Sequence, residues 1–264
     1  MHPYMNEHKI RQQICDVGQK LYDKGFVAAN DGNISVKISP NELIVTPTGV
    51  SKGGMKPEDL VKMTLDGTIL SGKSKPSSEV KMHIQVYRLN PKIQAVVHAH
   101  PPIATAYAVA RVPMQKPIIS EAVVNLGVVP VADYALPGTE EVPESIKPYI
   151  NDYNAVLLAN HGLLTWGEDL TQAFYRHESV EHYGKILLYV NQIGQAEEFS
   201  CQEVGALLDI RKKIGIESGG VPECKMKMDT TRQMPHNQLN QNQADHKELV
   251  ATITKQVIEQ LKMR

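Results

Sequence analysis

Two histidines end an apolar run in the segment QAVVHAHPP, residues 94–102. Side chains two positions apart on a β-strand point to the same face, so His98 and His100 are predicted to project side by side. A third histidine, His161, follows another apolar run and lies in a predicted turn. Three imidazoles around an open position are typical of catalytic zinc. Each histidine alone is explained by a structural role at a strand end, but the joint pattern favours a metal site.

A carboxylate is found near the start of the segment SSEVKMHIQVYRLNP. Its spacing predicts a helix with Ser77 or Ser78 as the N-cap and Glu79 in the first turn. A carboxylate there complements the helix dipole. His83 lies one turn later on the same face, and we expect it to pack in the interior rather than support the site.

Three loops combine small polar residues with exposed backbone donors: DGN at 31–33, TPTG at 46–49, and SKPSS at 74–78. Backbone N–H groups at a helix N-terminus and in tight loops favour anions. Each loop alone is typical of an ordinary turn. Together they predict a phosphate pocket assembled from three parts of the chain.

The elements that must position these residues alternate irregularly. Apolar spacing predicts a first helix from about Ile10 to Gly25, further helices at 77–90, 102–110 and 169–194, and strands within 28–39, 42–49, 92–100 and 154–167. Short strands between helices favour a layered α/β fold with a mixed or antiparallel sheet over regular βαβ winding.

The composition excludes several classes of protein. The chain has 264 residues and a net charge of −1, without the strong basic character of a nucleic-acid-binding protein. No stretch reaches the length of a membrane span, and the N-terminal residues lack the apolar core of a signal peptide. Three widely spaced cysteines argue against a disulfide framework and against a cysteine zinc site, so we expect a cytoplasmic protein.

The chain is predicted to have three parts: a main domain over 1–217, a flexible polar linker over 218–245, and an amphipathic helix over 246–264. The linker is rich in Gln, Asn and Lys, whereas the last segment regains helical apolar spacing.

The ordered set NDGNIS, TPTG, SSE, HAHP and NHG resembles the class II aldolase/adducin family over about residues 10–195. The pattern is closest to the members that cleave L-fuculose 1-phosphate. The resemblance implies a three-layer α/β/α fold with a central, largely antiparallel mixed sheet, and a homotetramer with sites at subunit interfaces.

The resemblance also assigns roles to residues. It implies one Zn²⁺ per subunit held by His98, His100 and His161. Glu79 would be the catalytic acid/base and would also contact the metal when substrate is absent. The substrate phosphate would be bound by residues of the three loops: Gly32, Asn33, Thr48, Gly49, Ser77 and Ser78.

The implied reaction converts L-fuculose 1-phosphate, or a related deoxyketose 1-phosphate, to dihydroxyacetone phosphate and an aldehyde such as L-lactaldehyde. A methylthioribulose-1-phosphate dehydratase-like lyase and a non-catalytic adducin-like interaction module are the alternatives. One departure concerns the tyrosine that protonates the aldehyde oxygen in the fuculose-phosphate enzymes. The corresponding segment here, IISEAVVNLG, contains Glu121 and Ala122 but no tyrosine.

The C-terminal segment resembles the encapsulation peptides of enzymes packaged in bacterial microcompartments. This implies a shell protein as a partner and a location inside such a compartment. A helix that packs on its own tetramer is the alternative. Neither nucleic acid nor a membrane is an expected partner.

Overall fold

Apolar strands build an eight-stranded sheet at the centre of the protein, which a computed structural model describes over residues 7–224. The strands are β1 (Asn33–Ser39), β2 (Glu42–Val45), β3 (Val61–Thr64), β4 (Ile69–Ser71), β5 (Ala95–Ala99), β6 (Val131–Ala132), β7 (Ala155–Leu158) and β8 (Gly162–Gly167). The helices are α1 (Glu7–Asp23), α2 (Val80–Leu89), α3 (Pro102–Ala110), α4 (Ser120–Asn125), α5 (Glu141–Ile146), α6 (Leu170–Ile193) and α7 (Cys201–Lys213).

The strand order is β4-β3-β2-β1-β5-β8-β7-β6. All neighbouring strands are antiparallel except the β6–β7 pair, which is parallel. The predicted largely antiparallel mixed sheet is therefore confirmed. Strand β5 contains His98 and is directly followed by His100. It lies in the interior of the sheet between β1 and β8.

Helices cover both faces of the sheet, which gives the predicted three layers. Helices α2 and α5 pack on one face, and α1, α3, α4 and α6 pack on the other. The side chains of β5 alternate between these layers: Val96 faces the α2 layer, and Ala95, Val97 and Ala99 face the α1 layer. By the same alternation His98 points toward the side of the sheet that carries α2.

The long predicted helices form, with local differences. Helix α6 is capped by Asp169, whose carboxylate accepts a hydrogen bond from the Gln172 N–H at 2.7 Å. The predicted cap of α2 is wrong by one or two positions, because Glu79 itself occupies the N-cap position and its side chain makes no cap hydrogen bond. Its carboxylate is instead turned toward the histidines, as described below.

Helix α7 was not predicted, although its start carries a recognisable signal. Ser200 and Glu203 form a reciprocal capping box in the sequence SCQE. Cys201 at the start of this helix is disulfide-bonded to Cys224, with 5.1 Å between the Cα atoms. The expectation that the chain lacks disulfides is thus wrong for this pair, because a separation of 23 residues does not reveal that the chain returns to the start of α7.

The beginning of the predicted linker is hydrogen-bonded to the main domain. The Val128 N–H donates to the Gly219 carbonyl at 2.7 Å, and the Asn154 side chain donates to the Ser218 carbonyl at 3.2 Å. The rest of the predicted linker and the predicted C-terminal helix lie outside the described residues. Among residues 7–224, no helix combines the length and apolar character needed to span a membrane.

Candidate functional site

The three histidines of the sequence motifs converge as predicted. One ring nitrogen from each of His98, His100 and His161 lies within 4.8 Å of the others, a group that could hold a metal ion. His98 is the last residue but one of the buried strand β5, and His100 directly follows that strand on the same side. His161 comes from the tight β7–β8 turn, where Asn160 adopts a positive φ of 55°, a conformation that asparagine tolerates well.

The hydrogen bonds behind two of the rings show which nitrogens face the centre of the group. His98 Nδ1 lies 2.9 Å from the Leu163 carbonyl oxygen, which can only accept, so Nδ1 carries the hydrogen. His100 Nδ1 lies 3.4 Å from an Asp31 carboxylate oxygen. The Nε2 atoms of His98 and His100 therefore face each other as lone pairs, 3.2 Å apart. Two such lone pairs repel unless a cation lies between them, and the residues thus fit a metal ion.

Burial keeps the imidazoles in the form that binds metal. His98 is fully buried, and burial holds its pKa well below the usual value, although the Glu79 carboxylate opposes this shift. Burial also lowers the pKa of His100, while Asp31 acts in the opposite direction. Burial thus favours the neutral form of these two rings, which is the form that binds a metal.

The Glu79 carboxylate lies directly beside this group. Its Oε1 is 3.1 Å from His161 Nε2, and its Oε2 is 3.5 Å from His98 Nε2. The Asn33 side-chain amide donates to Oε2 at 2.7 Å. Burial alone would raise the pKa of Glu79, but the neighbouring imidazoles and the Asn33 amide hold it well below its usual value. Glu79 is therefore an ionised, oriented carboxylate within reach of a metal held by the histidines.

Two glycines allow this close packing. A Cβ on Gly162 would lie 2.5 Å from the His100 ring and 2.7 Å from the Ala99 carbonyl oxygen. A Cβ on Gly32 would lie 2.9 Å from the His98 carbonyl oxygen, and Gly32 also has a positive φ of 75°. The glycines of the NHG and DGN motifs thus leave space for the backbone and rings that carry the histidines.

Hydrogen bonds join two of the predicted phosphate loops to each other and to strand β1, which begins at Asn33. The Thr48 N–H donates to the Lys75 carbonyl at 3.0 Å, and the Ser77 N–H donates to the Thr46 carbonyl at 3.2 Å. The Thr46 hydroxyl in turn accepts from the Ile34 N–H at 3.1 Å. The start of β1, the loop after β2 and the loop before α2 therefore form one continuous edge.

Members of this edge differ in exposure. Thr48, Gly49 and Ser78 are exposed, whereas Ser77 is buried and its hydroxyl accepts from the Glu79 N–H at 3.3 Å.

Asn33 is paired with His98 across the β1–β5 ladder. Its amide nitrogen contacts Glu79, and its oxygen Oδ1 is buried without a hydrogen-bond partner. Asn33 therefore links the loops to the histidine group.

Sequence reasoning missed two charged residues at this site. Asp31, placed only within a turn, faces His100. Lys52 is 1% exposed, and its ammonium donates to the carbonyls of Asn30 at 3.0 Å and Val50 at 2.7 Å. The sequence GVSKGG is typical of an exposed loop. The burial of Lys52 becomes apparent only from its packing against α1 in the structure.

The remaining described histidines lie outside the group of three. His83 is fully buried and its Nδ1 lies 2.7 Å from the Ser35 hydroxyl, as expected for a residue that packs in the interior. His177 is buried beside Thr165. A separate groove of about 1150 Å³ runs along α6, and Glu121 and Ala122 of the segment without a tyrosine contribute to its lining.

Comparisons with known proteins match this arrangement. The family model described as the class II aldolase and adducin N-terminal domain matches residues 12–188. A 3-oxo-tetronate 4-phosphate decarboxylase from Escherichia coli is 33% identical over 185 residues, which cover 69% of this chain and 87% of the relative. A 5-deoxy-D-ribulose 1-phosphate aldolase from Bacillus thuringiensis is 34% identical over 189 residues, which cover 71% and 88%. A solved L-fuculose 1-phosphate aldolase is 30% identical with a TM-score of 0.71, and the match covers 77% of this chain and 96% of that one.

Proposed function

Because the chain belongs to the class II aldolase and adducin family, we propose that it is a zinc-dependent lyase acting on a deoxyketose 1-phosphate. The substrate is L-fuculose 1-phosphate or a close relative, and the products are dihydroxyacetone phosphate and an aldehyde such as L-lactaldehyde. The observation that carries this proposal is the ionised Glu79 carboxylate 3.1 Å from His161, at the edge of a three-imidazole group.

The donor set suits zinc. Three imidazole nitrogens leave one position open, and zinc commonly takes this arrangement in catalytic sites. When bound, the ion would act as a Lewis acid toward the ketose carbonyl and its adjacent hydroxyl, which stabilises the negative charge of an enediolate. The carbonyl of Leu163 and the carboxylate of Asp31 fix the rings of His98 and His100 from behind.

Glu79 would transfer the proton at the reacting carbon. Cleavage of the C3–C4 bond leaves the bonding electrons on C3, and the C4 hydroxyl passes its proton to the ionised Glu79 carboxylate as the aldehyde forms. The protonated Glu79 then gives this proton to C3 of the enediolate, which yields dihydroxyacetone phosphate and returns Glu79 to its ionised form. Glu79 is oriented for this transfer by the Asn33 amide, and its low pKa keeps it ionised before the reaction.

The joined loops would hold the phosphate away from the bond that breaks. Binding there fixes the position of the ketose relative to Glu79 and the imidazoles. The residues are those expected from the sequence, namely Gly32, Asn33, Thr48, Gly49, Ser77 and Ser78. Asn33 has two roles in this proposal: it would contact the phosphate, and its amide nitrogen donates a hydrogen bond to Glu79.

Decarboxylation is the second candidate. The 33% identical relative is named for 3-oxo-tetronate 4-phosphate, a β-keto acid whose loss of carbon dioxide leaves the same enediolate. Aldol cleavage requires a group that removes a hydroxyl proton, and the reverse reaction requires that group to protonate the aldehyde oxygen. Loss of carbon dioxide requires neither step. The missing tyrosine in the segment around Glu121 therefore favours this reaction more than aldol cleavage.

The substrate test uses the metal-loaded protein with a panel of substrates. L-Fuculose 1-phosphate, 5-deoxy-D-ribulose 1-phosphate and 3-oxo-tetronate 4-phosphate are supplied in turn, and dihydroxyacetone phosphate is detected with a coupled NADH-dependent reductase. Aldol activity predicts product from a deoxyketose phosphate. Product only from the keto acid would replace the aldolase assignment with a decarboxylase. No product from any of the three, with stoichiometric metal present, would refute both.

The proposed assembly is a homotetramer in the cytoplasm. Sedimentation equilibrium on the full chain measures the subunit number directly. A monomer at micromolar concentration would contradict it.

A further inference from the structure

Every residue assigned to the phosphate is electrically neutral. The six are glycine, asparagine, threonine or serine, whereas a phosphate monoester carries a charge of about −1.5 to −2 at neutral pH. The nearest acidic groups, Asp31 and Glu79, would repel such an anion. A site that prefers a phosphorylated sugar therefore needs a positive charge close to these loops.

Lys52 has the position and the burial that this role requires. Its ammonium donates to the Asn30 carbonyl, three residues before Asn33, and to the Val50 carbonyl, directly after Gly49. One cation thus joins the loop before β1 to the loop after β2. The other lysines of the neighbouring loop, Lys73 and Lys75, are exposed to solvent.

Lys52 interacts electrostatically with the two acidic groups of the site. Burial lowers the pKa of Lys52 to about 8, and the carboxylates of Asp31 and Glu79 act in the opposite direction. On the side of α1 its neighbour is Gly18, where a Cβ would lie 2.9 Å from the Lys52 carbonyl oxygen. An ammonium has three N–H donors, and two of them bind the loop carbonyls.

We propose that Lys52 is a specificity-determining residue that closes the two loops on the phosphate and supplies the positive charge that selects a phosphorylated substrate. This inference rests on the proposed function, since it assumes that a phosphate binds at these loops. The hydrogen bonds of Lys52 go to the carbonyls of Asn30 and Val50 and not to the imidazole group, so its role lies in binding rather than in proton transfer. Removal of its charge should raise KM for a phosphorylated substrate far more than it lowers kcat.

The test measures binding of inorganic phosphate to the zinc-loaded full chain by titration calorimetry. The Lys52→Met variant keeps the length of the side chain and removes the charge, and we expect its affinity for phosphate to fall at least about tenfold. Lys73→Met is the matched control, because it removes an exposed charge from the neighbouring loop, and its affinity should stay near that of the wild type. Metal content and the unfolding midpoint are measured for both variants.

The Lys52→Arg variant keeps the test decisive if Lys52→Met folds poorly. Between about pH 7.5 and pH 9.5 the wild-type ammonium loses its proton, and phosphate affinity should fall about tenfold. Arginine stays charged over this range, so binding to Lys52→Arg should be nearly independent of pH. A purely structural lysine would not produce this difference.

Two results would overturn the inference. One is equal phosphate affinity in Lys52→Met and wild type, and the other is wild-type binding that does not weaken toward pH 9.5. Neither result bears on the reaction, which is judged by release of dihydroxyacetone phosphate from the wild type. Failure of that release with intact, Lys52-dependent phosphate binding would refute the proposed function and leave the role of Lys52 standing.

Discussion

Replacement of Glu79 by glutamine isolates the negative charge of the proposed acid/base. The amide oxygen of glutamine can still accept the hydrogen bond from Asn33, now 2.7 Å from the carboxylate, so the side chain keeps its orientation. Three imidazoles remain for the metal. We therefore expect Glu79→Gln to retain stoichiometric metal and to lose turnover by roughly 10²–10⁴-fold, the usual contribution of a positioned acid or base. This corresponds to about 3–5 kcal/mol of transition-state stabilisation.

Proton exchange on dihydroxyacetone phosphate gives an assay that needs no knowledge of the aldehyde. In deuterium oxide, a base at the reacting carbon replaces one hydrogen of the hydroxymethyl group, and NMR follows the loss of its signal. Glu144→Gln is the matched control, because that carboxylate lies on α5 and its side chain is 65% exposed. The control should exchange at the wild-type rate. Exchange in Glu79→Gln within a factor of about three of the wild type, with metal bound, would refute the acid/base assignment.

Three further perturbations test the packing around the site. Burial lowers the pKa of His83 to about 4 from 6.5, so folding stability is complete above pH 6.5 and falls toward pH 4 by about 3 kcal/mol. Urea unfolding of metal-free protein should show this loss, and a His83→Gln variant with the same pH dependence would contradict it. Gly32→Ala places a methyl group 2.9 Å from the His98 carbonyl oxygen and should lower zinc affinity in a chelator competition. Gly49→Ala is its control, since Gly49 has a similar positive φ but open space around it, and equal affinities would disprove the steric reasoning. Cys201→Ser opens a disulfide that spans 23 residues and should cost about 3 kcal/mol in denaturant unfolding, whereas an unchanged midpoint would rule out the bond.

The histidine group could be predicted because its signals are local. The two-residue period of a strand places His98 and His100 on one side, and the turn before β8 carries His161. The sequence could not show that β8 pairs with β5, which brings His161 within 4.8 Å of the other two. That proximity depends on the strand order of the whole sheet.

The surroundings of Glu79 needed the three-dimensional structure. Local rules place it in the first turn of a helix with a serine cap, but the N-cap position is Glu79 itself. The competing interaction is the contact of its carboxylate with Asn33 and His161, which depends on the register of β1 against β5. The sequence predicts only a phosphate-binding role for Asn33. Its hydrogen bond to Glu79 could not be predicted, because that bond also depends on the register of β1 against β5.

The burial of Lys52 and the disulfide could not be predicted from the sequence, for a second reason. A lysine between serine and glycine is normally exposed, and its burial here follows from packing against Gly18 of α1. The cysteine pair is brought together by the return of the chain from α7 to residue 224. Both depend on contacts between segments far apart in sequence, which periodicity and composition do not encode.

Metal dependence of enediolate formation is the most direct test of the central claim. Wild-type protein is stripped with a chelator, reloaded with zinc, and followed by exchange of the dihydroxyacetone phosphate hydrogen in deuterium oxide, with His98→Ala treated identically. We expect one zinc per chain in the wild type, exchange that disappears on stripping and returns on reloading, and neither zinc nor exchange in the variant. Full exchange by metal-free wild type, or by His98→Ala, would contradict it.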